Sequence, residues 1–288
     1  MSIPRQEVGA ARLGDRVYVL GGLLDAQPFE ATDLVEAYDI ASGQWTEVAP
    51  LPLPLDHLAV AATGGRLYVV GGYSGDFEPR SELWIYDPDA DDWSAGAPLP
   101  EARGAGAAVA SAGRVYHFGG LGPGELAASW AYDPGLDSWT RVADLPTPRE
   151  HVTAAALGAF LYVVGGRNGG VSTDANERYD PVEDFWEARA PLPTARSATA
   201  TVALGGRLWV MGGETPGLFE ENEVYDPGAD AWSCAAPMAL PRHGVGAAAI
   251  GARILVAGGG TSGGLDPTAA VDAFLPSLVF ADGFESGD

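Results

Sequence analysis

The sequence contains no lysine; all sixteen of its basic residues are arginine. That absence removes the lysine of a nucleotide-binding P-loop, a Schiff-base nucleophile and a pyridoxal-phosphate attachment point, each of which needs the ε-amine. Cysteine occurs once, at Cys234, so no intrachain disulfide can form and no zinc site can rest on paired thiolates. No apolar run approaches the roughly 18–20 residues of a membrane span, and membrane insertion is not expected. Positive charge is scarce beside 39 acidic residues, giving a net charge of −23. A chain this acidic lacks the basic footprint that nucleic-acid phosphates require. The N-terminal MSIPRQEV has no basic segment leading into an apolar core, so no signal peptide is expected there. There is no GxSxG elbow and no HExxH, and Gly120-Leu-Gly-Pro-Gly124 only mimics a phosphate loop, because its glycine ends a strand.

Glycine (40) and proline (22) are abundant and 47% of residues are hydrophobic, which describes a folded chain of many short strands joined by turns. Glycine pairs fall at 21–22, 71–72, 119–120, 165–166, 212–213 and 258–259, each closing a β-like segment such as RLYVVGG. Downstream stand Tyr38, Tyr86, Tyr132, Tyr179 and Tyr225, each followed by aspartate and then by Trp45, Trp93, Trp139, Trp186 or Trp232. At a fixed offset past each tryptophan comes Leu55, Arg103, Arg149, Arg196 or Arg242, and at a further fixed offset the next glycine pair. Only the stretch between glycine pair and tyrosine varies in length. A period of this size with these marks is a propeller blade.

The glycine pair, Tyr-Asp-Pro and tryptophan at fixed offsets make the chain resemble the kelch repeat family along nearly its whole length. The resemblance implies an all-β, six-bladed β-propeller of four-stranded antiparallel blades around a central channel. The expected blades are 1–50, 51–98, 99–144, 145–191, 192–237 and 238–280, with a flexible acidic tail at 281–288. Within one copy the strands are expected at 150–157, 160–164, 175–180 and 186–189. The first strands are poor in large side chains because inner strands crowd the axis, whereas tyrosine and tryptophan fill the wider gaps between diverging sheets. Pro4-Arg5 aligns with Pro148-Arg149, so the first blade begins with its own inner strand. The sixth copy keeps Val271–Phe274 but loses its tryptophan, leaving Ser277–Phe280 as the candidate outer strand and little strand exchange at closure. The ending LVFADGFESGD is similar to tails of some extracellular bacterial proteins and favours export.

Alternating strand direction puts the variable loops on the same face as the links that deliver Arg5, Arg103, Arg149, Arg196 and Arg242, and variable loops on a rigid scaffold are where binding evolves. One reading makes these arginines a guanidinium ring at the channel mouth, suited to carboxylates, sulfates or phosphates. In family members that capture acidic peptides, some arginines at this position contact ligand. The other reading has them bond neighbouring loop carbonyls as part of the general repeat. Beside them lie Glu7, Asp56, His57, Glu150, His151 and His243, and the variable loops add Glu214, Tyr73, Phe77 and Phe219 among others. His117 reads as a buried histidine. Two enzyme readings follow from the resemblance. A galactose oxidase-like copper enzyme would use Tyr116 and Cys234. A sialic acid epimerase-like enzyme would use Glu150, His151 and Glu7 as acid/base groups with Arg149 on the sugar carboxylate. The favoured expectation is a monomeric, non-catalytic module with neither metal nor cofactor, binding an acidic protein segment or glycan through Arg5, Arg103, Arg149, Arg196, Arg242, His57, His151 and His243.

Overall fold

In a computed structural model, which describes residues 1–25, 29–75, 77–123 and 126–275, the chain is a six-bladed β-propeller. Five sheets have four antiparallel strands, and the sixth has three among the described residues. The expected outer strand at 277–280 and the tail at 281–288 lie outside them. No helix is present among the described residues, hence none long and apolar enough to cross a membrane.

The inner strands are Gly9–Leu13, Ala59–Thr63, Ala107–Ser111, Thr153–Leu157, Ala200–Leu204 and Gly246–Ile250. They begin later than the repeat suggested: in the fourth blade the strand starts at Thr153, because Glu150 is tied by an isolated bridge to Arg167 and His151 takes a left-handed φ of 50°. The second strands, such as Phe160–Val164, carry the core. Val163, Val164 and Leu161 are buried, as are the equivalent residues of every blade. Both faces of these strands are covered by neighbouring blades beyond their first residue, so the four residues that follow it are nearly all apolar.

The repeat residues fasten one blade to the next. Each second-strand segment ends at a glycine pair whose first carbonyl leaves the ladder. The second glycine's amide donates across to the entrance residue of the following blade, as Gly22 to Leu55 (2.8 Å), Gly120 to Arg149 (3.1 Å) and Gly166 to Arg196 (3.0 Å). Gly259 donates to Arg5 at 2.8 Å, so the sixth blade meets the first by the same bond that joins all the others. A side chain on the first glycine would strike that entrance carbonyl, and its φ, +62° at Gly165, is left-handed; both conditions call for glycine.

Farther out a second fastening repeats. The Trp186 indole donates to the Ala143 carbonyl of the preceding blade (2.8 Å), while Asp184 accepts from the Ala143 amide (2.7 Å) and from its own blade's Tyr179 hydroxyl (2.7 Å). Trp93, Trp139 and Trp232 make the same indole bond to the carbonyls of Ala49, Ala97 and Ala190, whose amides donate to Asp91, Asp137 and Asp230. In the first blade Gly43 stands at the aspartate position, beside Tyr38. The aspartate fastening is therefore missing where the first blade meets the sixth.

Candidate functional site

Three rings of residues, one set per blade, build the mouth of the channel on the variable-loop face. The first ring is the residue after each blade's entrance position: Gln6, Asp56, Gly104, Glu150, Ser197 and His243. Each bridges the residue that follows its own glycine pair, which supplies the second ring: Leu23, Tyr73, Leu121, Arg167, Glu214 and Gly260. The third ring is Glu7, His57, Ala105, His151, Ala198 and Gly244, all with φ between 48° and 57°. Their backbones clasp one another. His57 N donates to Glu7 O (3.0 Å), Ala105 to His57 (2.9 Å), His151 to Ala105 (2.7 Å), Ala198 to His151 (3.1 Å) and Gly244 to Ala198 (2.9 Å); Val8 completes the circle to Gly244 (3.4 Å).

Inside this circle the channel narrows to a cavity of about 150 Å³ lined by small residues such as Ala10, Ala108, Ala154 and Ala247. Outside it opens a basin of about 720 Å³. One wall, from blades one to three, is apolar. Tyr73 is buried over Gly104, Phe77 packs against Phe29 (ring centroids 5.5 Å) and Tyr73 (6.0 Å), and Leu121 stands open. The other side is polar. Arg167 bonds Glu150 (3.0 Å), Glu214 (2.6 Å) and the Nε2 of His151 (3.0 Å). His57 donates from Nδ1 to Asp56 at 2.5 Å, and the Nδ1 of His151 lies against Glu150. The two imidazoles meet edge to face, 4.9 Å apart. The Glu7 carboxylate lies between His57 and His243, 3.5 Å from the Nε2 of each, in space that a side chain on Gly244 would fill.

The two central histidines are driven in opposite directions. Burial alone would lower the pKa of His57, but the carboxylates of Glu7 and Asp56 outweigh it and raise it. His151 is pushed well below the usual imidazole value by burial, reinforced by His57, Arg167 and His243. Burial, with Asp56 adding to it, pushes the Tyr73 phenol up to about 12.

The profile of the KLHDC2/KLHL20/DRC7 Kelch-repeats domain matches this chain twice, over residues 7–213 and 59–259. The chain belongs to the Kelch-repeat family. Among similar Kelch proteins, Kelch-like protein terF of Aspergillus terreus is 45% identical over 71 residues, 24% of this chain and 16% of that protein. Kelch-like protein 36 of Bos taurus is 42% identical over 77 residues (26% and 12%), and beta-scruin of Limulus polyphemus is 41% identical over 58 residues (20% and 6%). The matched stretches thus span at most about a sixth of these relatives' own length.

The Kelch arginines correct the picture of a guanidinium ring. Arg5, Arg103, Arg149, Arg196 and Arg242 have no solvent exposure and do not line the mouth. Each turns back into its own blade. Arg149 donates to the carbonyls of Gly165 (2.7 Å), Thr147 (2.7 Å) and Val163 (3.1 Å) and to Glu177 (2.5 Å). Arg5 pairs with Glu36 at 2.5 Å, and Arg103, Arg196 and Arg242 pair with Glu101, Glu223 and Asp272. The physical reason is the glycine pair: its first carbonyl has no ladder partner inside the wedge, and a guanidinium with five donors can satisfy it and its neighbours together. With the arginines removed, the site is made of Glu7, His57, Glu150, His151 and His243, which the structure brings together.

Sequence reasoning passed over Arg167, the one arginine beside these groups, and gave no special place to Glu214 among the loop acids. The signal was the position directly after each glycine pair, which in this Kelch chain reads Leu, Tyr, Leu, Arg, Glu, Gly around the ring. Phe219 is not on the basin; it packs near Arg196 (5.9 Å). His117 is buried in the third blade beneath Gly106, and burial, with Arg103 nearby, pushes its pKa down to about 3. The copper-enzyme arrangement is not assembled: Tyr116 lies in a second strand of the third blade and Cys234 in an exposed outer strand of the fifth.

Proposed function

We propose that this Kelch-repeat protein is a binding module that holds a segment of another protein in the basin on the variable-loop face. The observation that carries this reading is the wall of the basin. Phe29, Phe77 and Leu121 remain 43%, 40% and 47% exposed while packed around a concave surface. Exposed aromatic residues at the edge of a pocket are the usual anchors of an interface. The acidic segment or glycan expected from an arginine mouth loses its rationale, because those arginines are spent on carbonyls and carboxylates inside the blades. Among the described residues the basin is lined by Glu7 and Glu214 and by one arginine, Arg167, which Glu150 and Glu214 already engage, in a chain of net charge −23. A neutral or basic segment with one or two apolar residues fits that field better.

Selection from a displayed peptide library, carried out with a chelator present, tests this. Enriched peptides should pair an aromatic or aliphatic residue with basic ones and lose at least about tenfold in affinity, roughly 1.4 kcal/mol, against Phe77→Ala. Peptides that bind Phe77→Ala and Phe29→Ala as tightly as the wild type would place the site elsewhere. A second reading, a small-molecule enzyme, draws on the opposed pKa directions of His57 and His151, the pattern of an acid/base pair. Against it, Arg167 is already engaged by Glu150, Glu214 and His151 rather than presented to a substrate carboxylate. Turnover of an acidic sugar that disappears in His151→Asn would establish it.

A further inference from the structure

We propose that Glu7, His57 and His151 bind one divalent transition ion of the zinc class at the floor of the basin. One donor atom from each of these residues lies within 4.8 Å of the other two. Glu7 Oε2 and His57 Nε2 are 3.5 Å apart, too long for a good hydrogen bond. It is close to the edge of a tetrahedron, about 3.4 Å, whose metal–ligand bonds are about 2.0–2.1 Å. Two imidazoles and one carboxylate form a donor set for zinc-like ions, whereas calcium and magnesium take oxygen ligands.

The surroundings strengthen the assignment. Each histidine directly follows an acid in the chain; the Nδ1 of His57 donates to Asp56 at 2.5 Å, and Glu150 lies beside the Nδ1 of His151. A carboxylate on one ring nitrogen holds the tautomer and turns the other nitrogen's lone pair outward, which is how metal-ligating histidines are oriented. Here the Nε2 of His57 faces the Glu7 carboxylate, and that of His151 faces the Arg167 guanidinium. The Glu7 carboxylate is 9% exposed and, among the described residues, has only the imidazoles of His57 and His243 beside it, each at 3.5 Å. A buried carboxylate without a close donor is costly, and a cation offsets that cost. Gly244 supplies the room, since a Cβ there would collide with the carboxylate. Without an ion, Arg167 fills the lone pair of His151 Nε2. When one binds, the guanidinium gives up that contact and keeps Glu150 and Glu214. A three-ligand floor leaves a coordination position open toward the basin, where a partner group or water completes it.

The experiment uses the full chain without a polyhistidine tag, in a Cys234→Ser background that removes the exposed thiol. Calorimetry with zinc and visible absorption with cobalt(II) should both report one equivalent per chain. Glu7→Gln and His57→Ala should each weaken binding by tenfold or more, with circular dichroism confirming the fold of each variant. Asp56→Asn, which leaves all three ligands in place, should weaken it by about ten- to a hundredfold. Should a variant fail to fold, copper(II) loaded into the unaltered ligand set decides: pulsed electron paramagnetic resonance should show two equatorial imidazoles. Absence of stoichiometric binding, one imidazole or none in the copper spectrum, or tight binding that survives both ligand substitutions would overturn the site. Because the peptide selection is run with chelator and read through Phe77 and Phe29, failure of either proposal leaves the other standing.

Discussion

Replacing Arg149 with leucine should destabilise the propeller far more than it disturbs any binding. The guanidinium satisfies the carbonyls of Thr147, Val163 and Gly165, and its loss leaves Glu177, 5% exposed, with the Thr147 hydroxyl but no cation. Breaking one side of a buried ion pair costs about 3–5 kcal/mol. At about 2 °C per kcal/mol for a chain of this length, Tm should fall by about 6–10 °C. The second blade shows how the loss can be repaired. There Leu55 stands at the entrance, and Trp84 occupies the third-strand register that Glu177 holds in the fourth blade, opposite Val69 as Glu177 is opposite Val163. Leu55 and Trp84 belong to one apolar cluster. The double variant Arg149→Leu/Glu177→Trp should therefore recover most of the loss, with a coupling energy of about 2 kcal/mol or more in calorimetry and urea unfolding. Strictly additive single effects, or a cost for Arg149→Leu below about 1 kcal/mol, would refute the structural role assigned to the arginine.

Two further outcomes concern the blade fastenings. Trp186→Ala removes a side chain only 7% exposed together with its bond to Ala143, and should cost about 3–5 kcal/mol in urea unfolding; a loss under about 1 kcal/mol would contradict the packing. The pKa of Asp137 is held below the ordinary carboxylate value by the Ala97 amide and the Tyr132 hydroxyl, and that of Asp91 by the Ala49 amide and Tyr86. Because the folded pKa is depressed, the stabilisation is complete above the unfolded value of about 3.9 and is lost as pH falls through the folded one. Thermal scans between about pH 2 and 7 should show the difference between wild type and Asp137→Asn shrinking below about pH 4. A difference independent of pH would exclude Asp137 as a titrating contributor.

The architecture was legible because its marks are backbone requirements. A glycine pair at a left-handed, crowded strand end, a tyrosine paired across strands with a tryptophan, and a small-residue inner strand can each be read without knowing any neighbour. The site was legible only in part. Glu7, His57, Glu150, His151 and His243 fall on two consecutive positions of the repeat, and repetition alone placed them near the axis. The direction of the arginines was not legible, because it depends on a carbonyl in the same blade left unsatisfied sixteen residues later, a three-dimensional circumstance. Arg167 was passed over for the converse reason. It follows a glycine pair, where the chain looks like the start of a variable loop, yet the bridge from Glu150 to Arg167 fixes it as part of the mouth.

The left-handed backbone at the mouth sharpens where function should be sought. A residue other than glycine held at positive φ costs free energy, and such strain often marks active sites. Here the left-handed conformation is shared by all six blades and the strain by the five that carry a residue other than glycine, including Ala105 and Ala198, whose methyl groups offer no chemistry. The ring of amide–carbonyl bonds that closes the channel imposes this conformation, so the strain belongs to the framework and would be present in a propeller that bound nothing. What differs around the ring is the side chain mounted on that fixed backbone: carboxylate, imidazole, methyl, imidazole, methyl, hydrogen. The small members are as consequential as the large ones. Gly244 makes space for the Glu7 carboxylate, and Ala105, between the blades of His57 and His151, carries nothing larger than a methyl into the gap where those rings meet. A six-fold scaffold thus acquires a directional site by filling three of six equivalent positions and leaving the other three nearly empty.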